Sequence, residues 1–415
     1  MQRYVVIGNG VAAVGCIEGL RSVDGATPIT VVSAEKHPVY CRPLISYYLE
    51  GKTDRDKMQY RPGDFYQKMG CEVLYGVSAV RIDPLAKTVA LNNGDSLSYS
   101  ALCVATGSSP FLPPIAGLDS VRQKCTFMTL DDALALEKAV NPASQVLIVG
   151  AGLIGLKCAE GLLARVGSIT VCDLADRVLS SILDNDCAAV VQKHLEDHRI
   201  RFMLSDSVER FEGDKAYMKS GATVDFDVLV AAVGVRANAA LAKDAGIAVN
   251  RGILVNNQMQ TSVSDVYAAG DCAEGEDVSC GEKRVLAIMP NAYMQGRCAG
   301  INMAGGSEAF NKGMPMNSIG FFGLHVMTAG TYYSPEAGGD VYEETAAGMR
   351  KKLFSRGGFL TGFVFVGKTE RVGIYTSLIR ERIPLNTINY ELLKKAVSLA
   401  PFSDDYRRER LGGVV

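Results

Sequence analysis

Hydrophobic positions along the chain form short β-branched runs that alternate with stretches of helical periodicity, and this alternation predicts an α/β fold built on parallel sheets. The first run occupies residues 4–7, a glycine-rich turn follows at 8–13, helical periodicity covers 14–21, and a second β run covers 29–32. This order predicts a strand, a turn, a helix and a strand at the start of the chain.

A second unit of the same kind lies in the middle of the chain. A lone glycine turn also opens ordinary strand–helix junctions, so either copy alone is weak evidence. Two copies in the same context, each followed by an acidic residue, predict two dinucleotide-binding folds. The second copy consists of a strand, a glycine turn, a helix and a strand at residues 145–149, 150–155, 156–165 and 169–172.

The spacing of the small residues in both turns has a physical reason. The first glycine allows the tight turn, the second lets the backbone approach a pyrophosphate, and the third position must be small so that the helix can pack on the strand. The N–H groups at the helix N-terminus then bind the diphosphate. These positions are Gly8, Gly10 and Ala13 in the first copy and Gly150, Gly152 and Gly155 in the second.

Three further apolar runs end in small or acidic residues. Runs at 102–107 and 228–234 end in glycine, and a run at 266–271 ends in Gly270 and Asp271. Ligands of such sheets bind at the carboxyl ends of the strands, so Asp271 is placed to bind a polyol.

From about residue 316 the α/β alternation gives way to strands. Residues 349–355 and 359–366 predict a hairpin, because Gly357 and Gly358 supply turn residues between two β runs. Residues 388–399 predict a terminal helix, and the charged tail at 407–410 is typical of a solvated surface.

Composition and charge exclude several classes of protein. The chain has 415 residues, 48% of them hydrophobic, which is enough for two or three soluble domains. Its 43 Lys and Arg against 45 Asp and Glu lack the basic excess typical of nucleic-acid binding. No apolar run approaches the ~20 residues needed to span a bilayer. We therefore predict neither a nucleic-acid nor a membrane partner.

The 11 cysteines indicate a reducing compartment. Their number is odd and the chain begins with no signal-peptide pattern, so we predict free thiols and a cytoplasmic protein. The cysteines form neither a CxxC nor a CxxxxC pair, which argues against a two-cysteine redox centre or a zinc ribbon. The four histidines predict no metal site, and His194 and His198 are interpreted as a surface pair.

Nearly the whole chain resembles the FAD-dependent NAD(P)H oxidoreductases of the pyridine nucleotide-disulfide oxidoreductase superfamily. The branch it resembles contains NADH:rubredoxin reductases, ferredoxin reductases and the flavin portion of nitrite reductases. The resemblance rests on both glycine turns and on the segments 105–107, 266–271, 290–292, 295–296 and 302–305. It implies two Rossmann-like dinucleotide-binding domains and a C-terminal α+β interface domain. The implied bounds are 1–112 with 242–315 for the FAD-binding domain, 113–241 for the NAD(P)H-binding domain, and 316–415 for the interface and dimerisation domain.

The resemblance also implies the residues that bind each cofactor. The helix that begins near Asn291 would direct its positive dipole end at the N1–O2 edge of the flavin. For FAD the implied residues are Gly8, Gly10 and Ala13 at the pyrophosphate, Glu35 at the adenosine ribose, Asp271 at the ribityl chain, and Arg42, Pro43, Ala105, Thr106, Gly107, Gly270, Asn291 and Ala292. For NAD(P)H they are Gly150, Gly152, Gly155 and Asp173.

Asp173 favours NADH over NADPH. It lies 18 positions after Gly155, where a carboxylate accepts hydrogen bonds from a ribose 2′-OH and repels a 2′-phosphate. Arg177 could serve that phosphate, so NADPH is the weaker alternative.

Two residues depart from the family's pattern. Where the ferredoxin reductases place a lysine after the serine of segment 37–46, this chain has Tyr47, and where they place a glutamate after the last turn glycine it has Lys157. We hypothesise that Lys157 is a catalytic residue that supplies positive charge near the flavin and nicotinamide. The alternative is an exposed lysine on the first helical turn.

Cys41 distinguishes two kinds of enzyme. NADH oxidases and CoA-disulfide reductases place a single reactive cysteine in the equivalent loop, and Arg42 could lower the pKa of such a thiol. Those relatives follow the cysteine with glycine, whereas here Arg42 and Pro43 follow it, as in rubredoxin and ferredoxin reductases. The alternative for Cys41 is a small buried thiol.

We therefore predict an FAD-containing NADH:acceptor oxidoreductase that passes hydride from NADH to flavin and electrons on to a small redox protein such as rubredoxin or ferredoxin. One alternative is a Cys41-dependent NADH oxidase or CoA-disulfide reductase. A second alternative is a flavin electron-transfer subunit of a larger complex. The family also implies a homodimer.

Overall fold

The structure is a computed structural model that describes residues 2–411, and it divides into two compact units. The first unit comprises the chain up to Ser181, Gln192–Gly275 and Arg284–Phe310, and the second comprises Ile182–Val191, Glu276–Lys283 and the chain from Asn311 onward. The first unit contains both predicted dinucleotide-binding folds. The finer division into three domains at 1–112 with 242–315, 113–241 and 316–415 stays a prediction.

Strands and helices alternate through most of the described chain. The strands are β1 (Tyr4–Ile7), β2 (Ile29–Ser33), β3 (Cys71–Tyr75), β4 (Ala79–Asp83), β5 (Thr88–Leu91), β6 (Ser96–Ser98), β7 (Ala101–Val104), β8 (Ser108–Pro110), β9 (Lys124–Cys125), β10 (Gln145–Val149), β11 (Ser168–Cys172), β12 (Ile200–Met203), β13 (Val208–Glu212), β14 (Lys215–Met218), β15 (Thr223–Asp225), β16 (Val228–Ala231), β17 (Val235–Ala237), β18 (Ile253–Leu254), β19 (Val266–Ala268), β20 (Ala273–Asp277), β21 (Glu282–Val285), β22 (Met316–Phe321), β23 (Leu324–Gly330), β24 (Asp340–Ala346), β25 (Met349–Arg356) and β26 (Phe359–Val366). The α-helices are α1 (Val11–Val23), α2 (Ile45–Glu50), α3 (Phe65–Lys68), α4 (Leu130–Ala139), α5 (Leu153–Leu162), α6 (Asn185–Asp197), α7 (Ala240–Asp244), α8 (Met289–Met303), α9 (Gly373–Arg380), α10 (Tyr390–Lys395) and α11 (Asp404–Leu411).

The first predicted fold is a parallel sheet with the strand order β19-β7-β1-β2-β3. Val6 pairs with Val31 on one side and with Cys103 on the other. Every residue of β1, β2 and β7 is buried, which is why these strands are continuous apolar runs rather than alternating ones. Helix α1 begins at Val11, three residues before the prediction, because the last residues of the glycine turn already form its first turn.

The second predicted fold is a parallel sheet with the order β12-β11-β10-β16-β9. Leu147 in its central strand pairs with Thr170 and with Leu229. Helix α5 again starts three residues before the prediction, and a 3-10 turn at Leu163–Arg165 completes the predicted helical stretch. Both sheets confirm the strand, turn, helix and strand order of the sequence pattern.

The second unit is built on an antiparallel sheet with the order β22-β23-β26-β25-β24. The predicted hairpin is confirmed, since Leu353 of β25 pairs with Phe363 of β26 and the turn lies between Arg356 and Phe359. Phe363, Phe365 and Tyr375 fill its core, with ring centroids 5.6 Å apart between Phe365 and each of the other two rings.

The predicted helix over 388–399 is wrong in its extent. Helix α10 covers only Tyr390–Lys395, capped by the Asn389 side chain, which accepts a hydrogen bond from Leu392 N at 3.0 Å. The chain becomes extended at Ala396, and Val397 packs on the core of the second unit, so tertiary packing ends the helix early. The predicted charged tail at 407–410 lies within α11.

The cysteines are all free thiols in the described chain, and Cys103, Cys158 and Cys172 are fully buried, as expected for packing residues. Among residues 2–411, no helix combines the length and the apolar character that crossing a bilayer requires.

Candidate functional site: two glycine turns and the residues around them

The first glycine turn is closed on one side and open on the other. Gly8 has a φ of +113°, and a Cβ atom added to it would lie 2.1 Å from the carbonyl oxygen of Ala105, so only glycine fits. A Cβ atom added to Gly10 would meet no atom within 4 Å. Ala13 is fully buried in the core that α1 shares with the sheet.

The second glycine turn repeats this geometry. Gly150 has a φ of +119°, and an added Cβ atom would lie 2.3 Å from the carbonyl oxygen of Ala232. Gly152 faces open space, as Gly10 does. A Cβ atom added to Gly155 would lie 2.0 Å from the carbonyl oxygen of Gly150, so the third position must also be glycine here.

Both turns fit the pyrophosphate of a dinucleotide. The first N–H groups of a helix have no acceptor within the helix, and an anion at the N-terminus satisfies them. Gly10 caps α1 and Gly152 caps α5, and within the described residues no side chain caps either helix. The residues present therefore suit the pyrophosphate of a dinucleotide at each turn, and the prediction of FAD at the first and NAD(P)H at the second stays a prediction.

Helices α1 and α8 touch main chain to main chain. Four glycines remove the side chains between them, and a Cβ atom added to any of the four would lie 2.0 to 2.3 Å from a carbonyl oxygen of the other helix. Sequence reasoning missed this contact, although glycines four residues apart on both helices were a readable signal. They are Gly15 and Gly19 in α1, which face Tyr293 and Arg297, and Gly296 and Gly300 in α8, which face Ala12 and Cys16.

Gly270 lies between the first turn and the start of α8. Its φ is +82°, and an added Cβ atom would lie 3.0 Å from Ala12 Cβ and 3.6 Å from Ala292 Cβ. Gly270 N donates to Gln295 Oε1 at 2.8 Å, while Gln295 Nε2 is buried with no partner among the described residues. Asn291 in the first turn of α8 is only 1% exposed. The structure thus brings together the first turn, Gly270 and the predicted flavin-facing helix.

Asp271 lies beside the ends of the strands. Ser108 Oγ donates to Asp271 Oδ2 at 3.0 Å. Burial raises the pKa of Asp271, while Ser108 and the charge of Arg42 oppose that shift. Thr106 Oγ1 donates to the Asn238 carbonyl oxygen at 2.7 Å, and Asn238 Nδ2 donates back to the Thr106 carbonyl oxygen at 2.9 Å. These hydrogen bonds fix the segment 105–107.

Glu35 is part of a network that reaches α4. One carboxylate oxygen forms an ion pair with Arg42, and the other accepts a hydrogen bond from the Tyr40 hydroxyl at 2.7 Å. The Tyr40 hydroxyl in turn accepts from Leu130 N, the first residue of α4, at 2.8 Å. Burial raises the pKa of Tyr40, so its hydroxyl stays protonated. Sequence reasoning placed Tyr40 in the segment 37–46 but gave its side chain no role, and the predicted role of Glu35 at a ribose stays a prediction.

Cys41 does not have the surroundings expected of an activated thiol. The expectation that Arg42 lowers the pKa of Cys41 is wrong, because burial raises that pKa. The Arg42 guanidinium instead contacts Glu35, Tyr40 and the Met128 carbonyl oxygen. Cys41 caps the 3-10 turn Arg42–Leu44, which contains Pro43.

Lys157 is neither exposed nor alone. Its side chain is 16% exposed and forms an ion pair with Glu160, whose side chain is 5% exposed. Lys157 Nζ also lies 4.6 Å from the ring centroid of Tyr47 on α2. The two residues that depart from the family's pattern are therefore in contact, and the interpretation of Lys157 as an exposed lysine is wrong. Sequence reasoning missed Glu160, although its spacing of three residues from Lys157 on one helix was a readable signal.

Asp173 follows β11 and contacts the second turn directly. Its Oδ2 accepts a hydrogen bond from Ala151 N at 2.6 Å, and its Oδ1 accepts one from Ala175 N at 2.8 Å. The carboxylate is thus held at the position that the sequence predicts for a ribose ligand. Arg177 forms an ion pair with Asp176 at 2.6 Å.

His194 and His198 lie side by side, with ring centroids 4.6 Å apart, and both are half-buried. Among residues 2–411, no group of three or more His, Cys, Asp or Glu side chains is arranged to hold a metal ion.

Comparisons with known proteins agree with this geometry. Residues 2–296 match the family model described as pyridine nucleotide-disulphide oxidoreductase. The chain is 32% identical over 396 residues to the NADH-dependent phenylglyoxylate dehydrogenase subunit epsilon of Aromatoleum evansii, and the match covers 93% of each chain. It is 35% identical over 322 residues to an NADH oxidase of Methanocaldococcus jannaschii, covering 74% of this chain and 71% of the oxidase.

A solved structure shows the same fold. The chain is similar to one in the crystal structure of the covalent putidaredoxin reductase–putidaredoxin complex, with a TM-score of 0.86 and 22% identity. The match covers 100% of this chain and 99% of the other. It extends the likeness beyond the 2–296 segment that the family model matches.

Proposed function

This chain belongs to the pyridine nucleotide-disulphide oxidoreductase family, and from that premise we propose what accepts its electrons. It is an FAD-dependent NAD(P)H oxidoreductase, like the other members of the branch it resembles. We propose that NADH is its electron donor and that a small redox protein such as rubredoxin or ferredoxin is its acceptor.

The observation that supports two bound dinucleotides, FAD and NADH, is the duplicated glycine turn. One enzyme needs two such turns when it binds two dinucleotides at once, and Gly10 and Gly152 both face open space at a helix N-terminus. The relatives agree with a protein acceptor, since one is named as a subunit of an NADH-dependent dehydrogenase and one structure joins a reductase to putidaredoxin.

The chain's own residues would bind and orient the cofactors. When bound, FAD supplies a ring that accepts hydride from the nicotinamide and releases electrons to an acceptor. Asn291 and Ala292 are proposed to meet the N1–O2 edge of that ring, where the positive end of α8 stabilises negative charge. Lys157 is proposed to add a fixed positive charge near the nicotinamide, and unchanged reduction of the flavin in Lys157→Ala would reject that role.

The direct test is a panel of acceptors offered anaerobically to the NADH-reduced protein. We expect rubredoxin or ferredoxin to reoxidise the flavin faster than a CoA-disulfide, and NADH to reduce it faster than NADPH. Reoxidation by O₂ with no reaction toward either redox protein would contradict the proposal.

A thiol-dependent NADH oxidase is the first alternative, and the likeness to the Methanocaldococcus jannaschii NADH oxidase favours it. The raised pKa of Cys41 counts against it, because the thiolate is the reactive form. A reductive titration separates the two enzymes. Flavin alone takes up two electrons, whereas flavin with an oxidised Cys41 takes up four.

An electron-transfer subunit of a larger complex is the second alternative. It is favoured by the match to subunit epsilon, which covers 93% of each chain. Such a subunit would oxidise NADH slowly when isolated. Fast NADH oxidation by the isolated chain with artificial acceptors would therefore count against it.

We further propose a cytoplasmic homodimer that associates through residues 316–415. The free cysteines favour a reducing compartment. Sedimentation as a monomer would contradict the dimer, and recovery outside the cytoplasmic fraction would contradict the location.

A further inference from the structure

A buried ion pair lies on α5, one helical turn beyond the second glycine turn. Lys157 and Glu160 contact each other with 16% and 5% of their side chains exposed. Taking two charges out of water costs free energy, and such a pair is weak evidence for stability. Its presence beside a predicted cofactor site therefore points to a role in positioning charge.

The lysine is confined from two directions. Glu160 holds it from its own helix, and the Tyr47 ring on α2 lies 4.6 Å from the ammonium nitrogen. The two helices pack closely, because a Cβ atom added to Gly161 would lie 2.8 Å from the Ser46 carbonyl oxygen. A flexible side chain with a strongly hydrated head is thereby fixed in one place.

A neighbouring lysine has its own partner. Lys52 forms an ion pair with Glu50, which raises the pKa of Lys52, and Glu160 adds to that shift only from a distance. The side chain of Lys52 is 56% exposed, in contrast to Lys157. The buried carboxylate of Glu160 is thus directed at Lys157.

We propose that Glu160 is a positioning residue that holds the Lys157 ammonium against Tyr47, so that a dinucleotide at the second glycine turn meets a fixed cation. The proposal rests on the proposed function, because it requires NADH to bind at this turn. Lys157 lies five residues after Gly152, about 7.5 Å along the helix axis. A lysine that is already ordered loses less conformational entropy when the dinucleotide binds than a mobile lysine would.

The test compares Glu160→Gln, Lys157→Met and the double variant in the FAD-loaded protein. The measurements are the Kd of NAD⁺, followed by the flavin spectrum, and the melting temperature. Glu160→Gln should weaken NAD⁺ binding about tenfold, because the lysine would no longer be held in position, and a displacement of about 1 Å is enough for a large loss of function. It should also lower the melting temperature, since it leaves an ammonium buried without its carboxylate.

The double variant separates positioning from stability. It removes both charges, so its melting temperature should recover while its NAD⁺ affinity stays as weak as that of Lys157→Met. Recovery of both properties would show a structural role only and would overturn the proposal. Unchanged NAD⁺ affinity in Glu160→Gln would overturn it as well.

Two further variants serve as controls. Lys193→Met with Asp197→Asn removes an exposed ion pair on α6 and should leave NAD⁺ affinity unchanged. Lys157→Arg keeps a positive charge opposite Glu160. Comparing its NAD⁺ affinity with that of Lys157→Met measures the effect of this charge even when Glu160→Gln fails to fold. If NADH does not reduce the flavin of the wild-type protein, the proposed function itself is rejected. If NADH reduces it normally and Glu160→Gln binds NAD⁺ as tightly as the wild type, only the positioning role is rejected.

Discussion

The two glycine turns have nearly the same geometry, but the helices that follow them are held by different means. Gly8 and Gly150 are pressed against the carbonyl oxygens of Ala105 and Ala232 in the same way. Helix α1 contacts α8 through the main chain at four glycines, with the side-chain contact between Glu18 and Tyr293 beside them. Helix α5 approaches the main chain of α2 at one glycine, Gly161, and its other contacts with α2 include the side chains of Lys157 and Tyr47. A contact between main chains has no rotamers to change, while a contact between side chains can adjust.

The difference matches the two ligands expected at the turns. FAD remains bound through turnover, so rigid packing of the helix behind its turn would favour binding. NADH enters and leaves in every cycle, and a side-chain contact such as that of Arg165, just beyond α5, can shift as it does, while Glu160 holds Lys157 in place. Under the proposed assignment, the first fold would bind its cofactor permanently and the second would exchange it, and the packing behind each helix would make the difference.

The largest effect is expected where the main-chain contact is broken. Gly296→Ala places a Cβ atom 2.0 Å from the Ala12 carbonyl oxygen, so the helices must separate, at a cost of about 3 kcal/mol of stability. We expect loss of FAD on gel filtration and a lower urea midpoint. Gly161→Ala is the matched change on α5, the helix that follows the second turn, where an added Cβ atom would lie 2.8 Å from the Ser46 carbonyl oxygen, and its loss of stability should be smaller. Equal losses of stability in Gly296→Ala and Gly161→Ala would show that the two helices are held equally rigidly.

A reciprocal pair of variants tests which ligand each turn binds. Gly10 and Gly152 have φ values of −99° and −81°, which alanine adopts freely, and an added Cβ atom meets no atom of the chain. Both variants should fold normally. Gly10→Ala should lose FAD, and Gly152→Ala should retain FAD but bind NAD⁺ at least about tenfold more weakly. Loss of FAD from Gly152→Ala would reverse the assignment.

Asp173→Asn should narrow the preference for NADH over NADPH about tenfold, because it removes the charge that repels a 2′-phosphate. The ratio of kcat/KM for the two nucleotides is the measurement. Glu35→Gln changes the acid of the first copy and should leave that ratio unchanged. A ratio unaltered in Asp173→Asn would remove Asp173 from nucleotide selection.

The smallest effect is expected at Cys41, which lies outside the proposed electron path. Cys41→Ser should change turnover with a redox protein by less than about twofold. Because burial raises the pKa of Cys41, its thiol form dominates at neutral pH, and alkylation should accelerate only at a higher pH than for N-acetylcysteine. Faster alkylation of the Cys41 peptide at neutral pH, measured by mass spectrometry, would restore the thiol-dependent alternative.

The sequence predicted the strands on either side of both glycine turns well because their signals are local, whereas it missed β3, β9 and β12. β1 and β10 begin and end at the predicted residues, since buried parallel strands are unbroken apolar runs. The helix over 388–399 was predicted too long because helical periodicity there does not register that Val397 is needed in the core. Local patterns thus predict the presence of an element better than its end.

The candidate site was predictable only in part. The glycine turns, Asp173 and Asp271 occupy spaced motifs, and the structure places them at the predicted strand ends. Glu160 was missed although it lies one helical turn from Lys157, while Tyr40 was given no role because its hydroxyl joins it to another element, α4. The rejected expectation for Arg42 has the same origin, since adjacency to Cys41 in sequence did not reveal that Glu35 binds its guanidinium.

The glycine contact between α1 and α8 also limits how this enzyme can be altered. Most protein cores accept the exchange of one apolar side chain for another of similar volume, because neighbours repack. At the four glycines between these two helices there is no side-chain volume to exchange, so saturation mutagenesis should find Gly15, Gly19, Gly296 and Gly300 among the least tolerant positions of the chain. Directed evolution toward a new electron acceptor would then leave this pair of helices untouched and draw its useful substitutions from the side-chain contacts elsewhere.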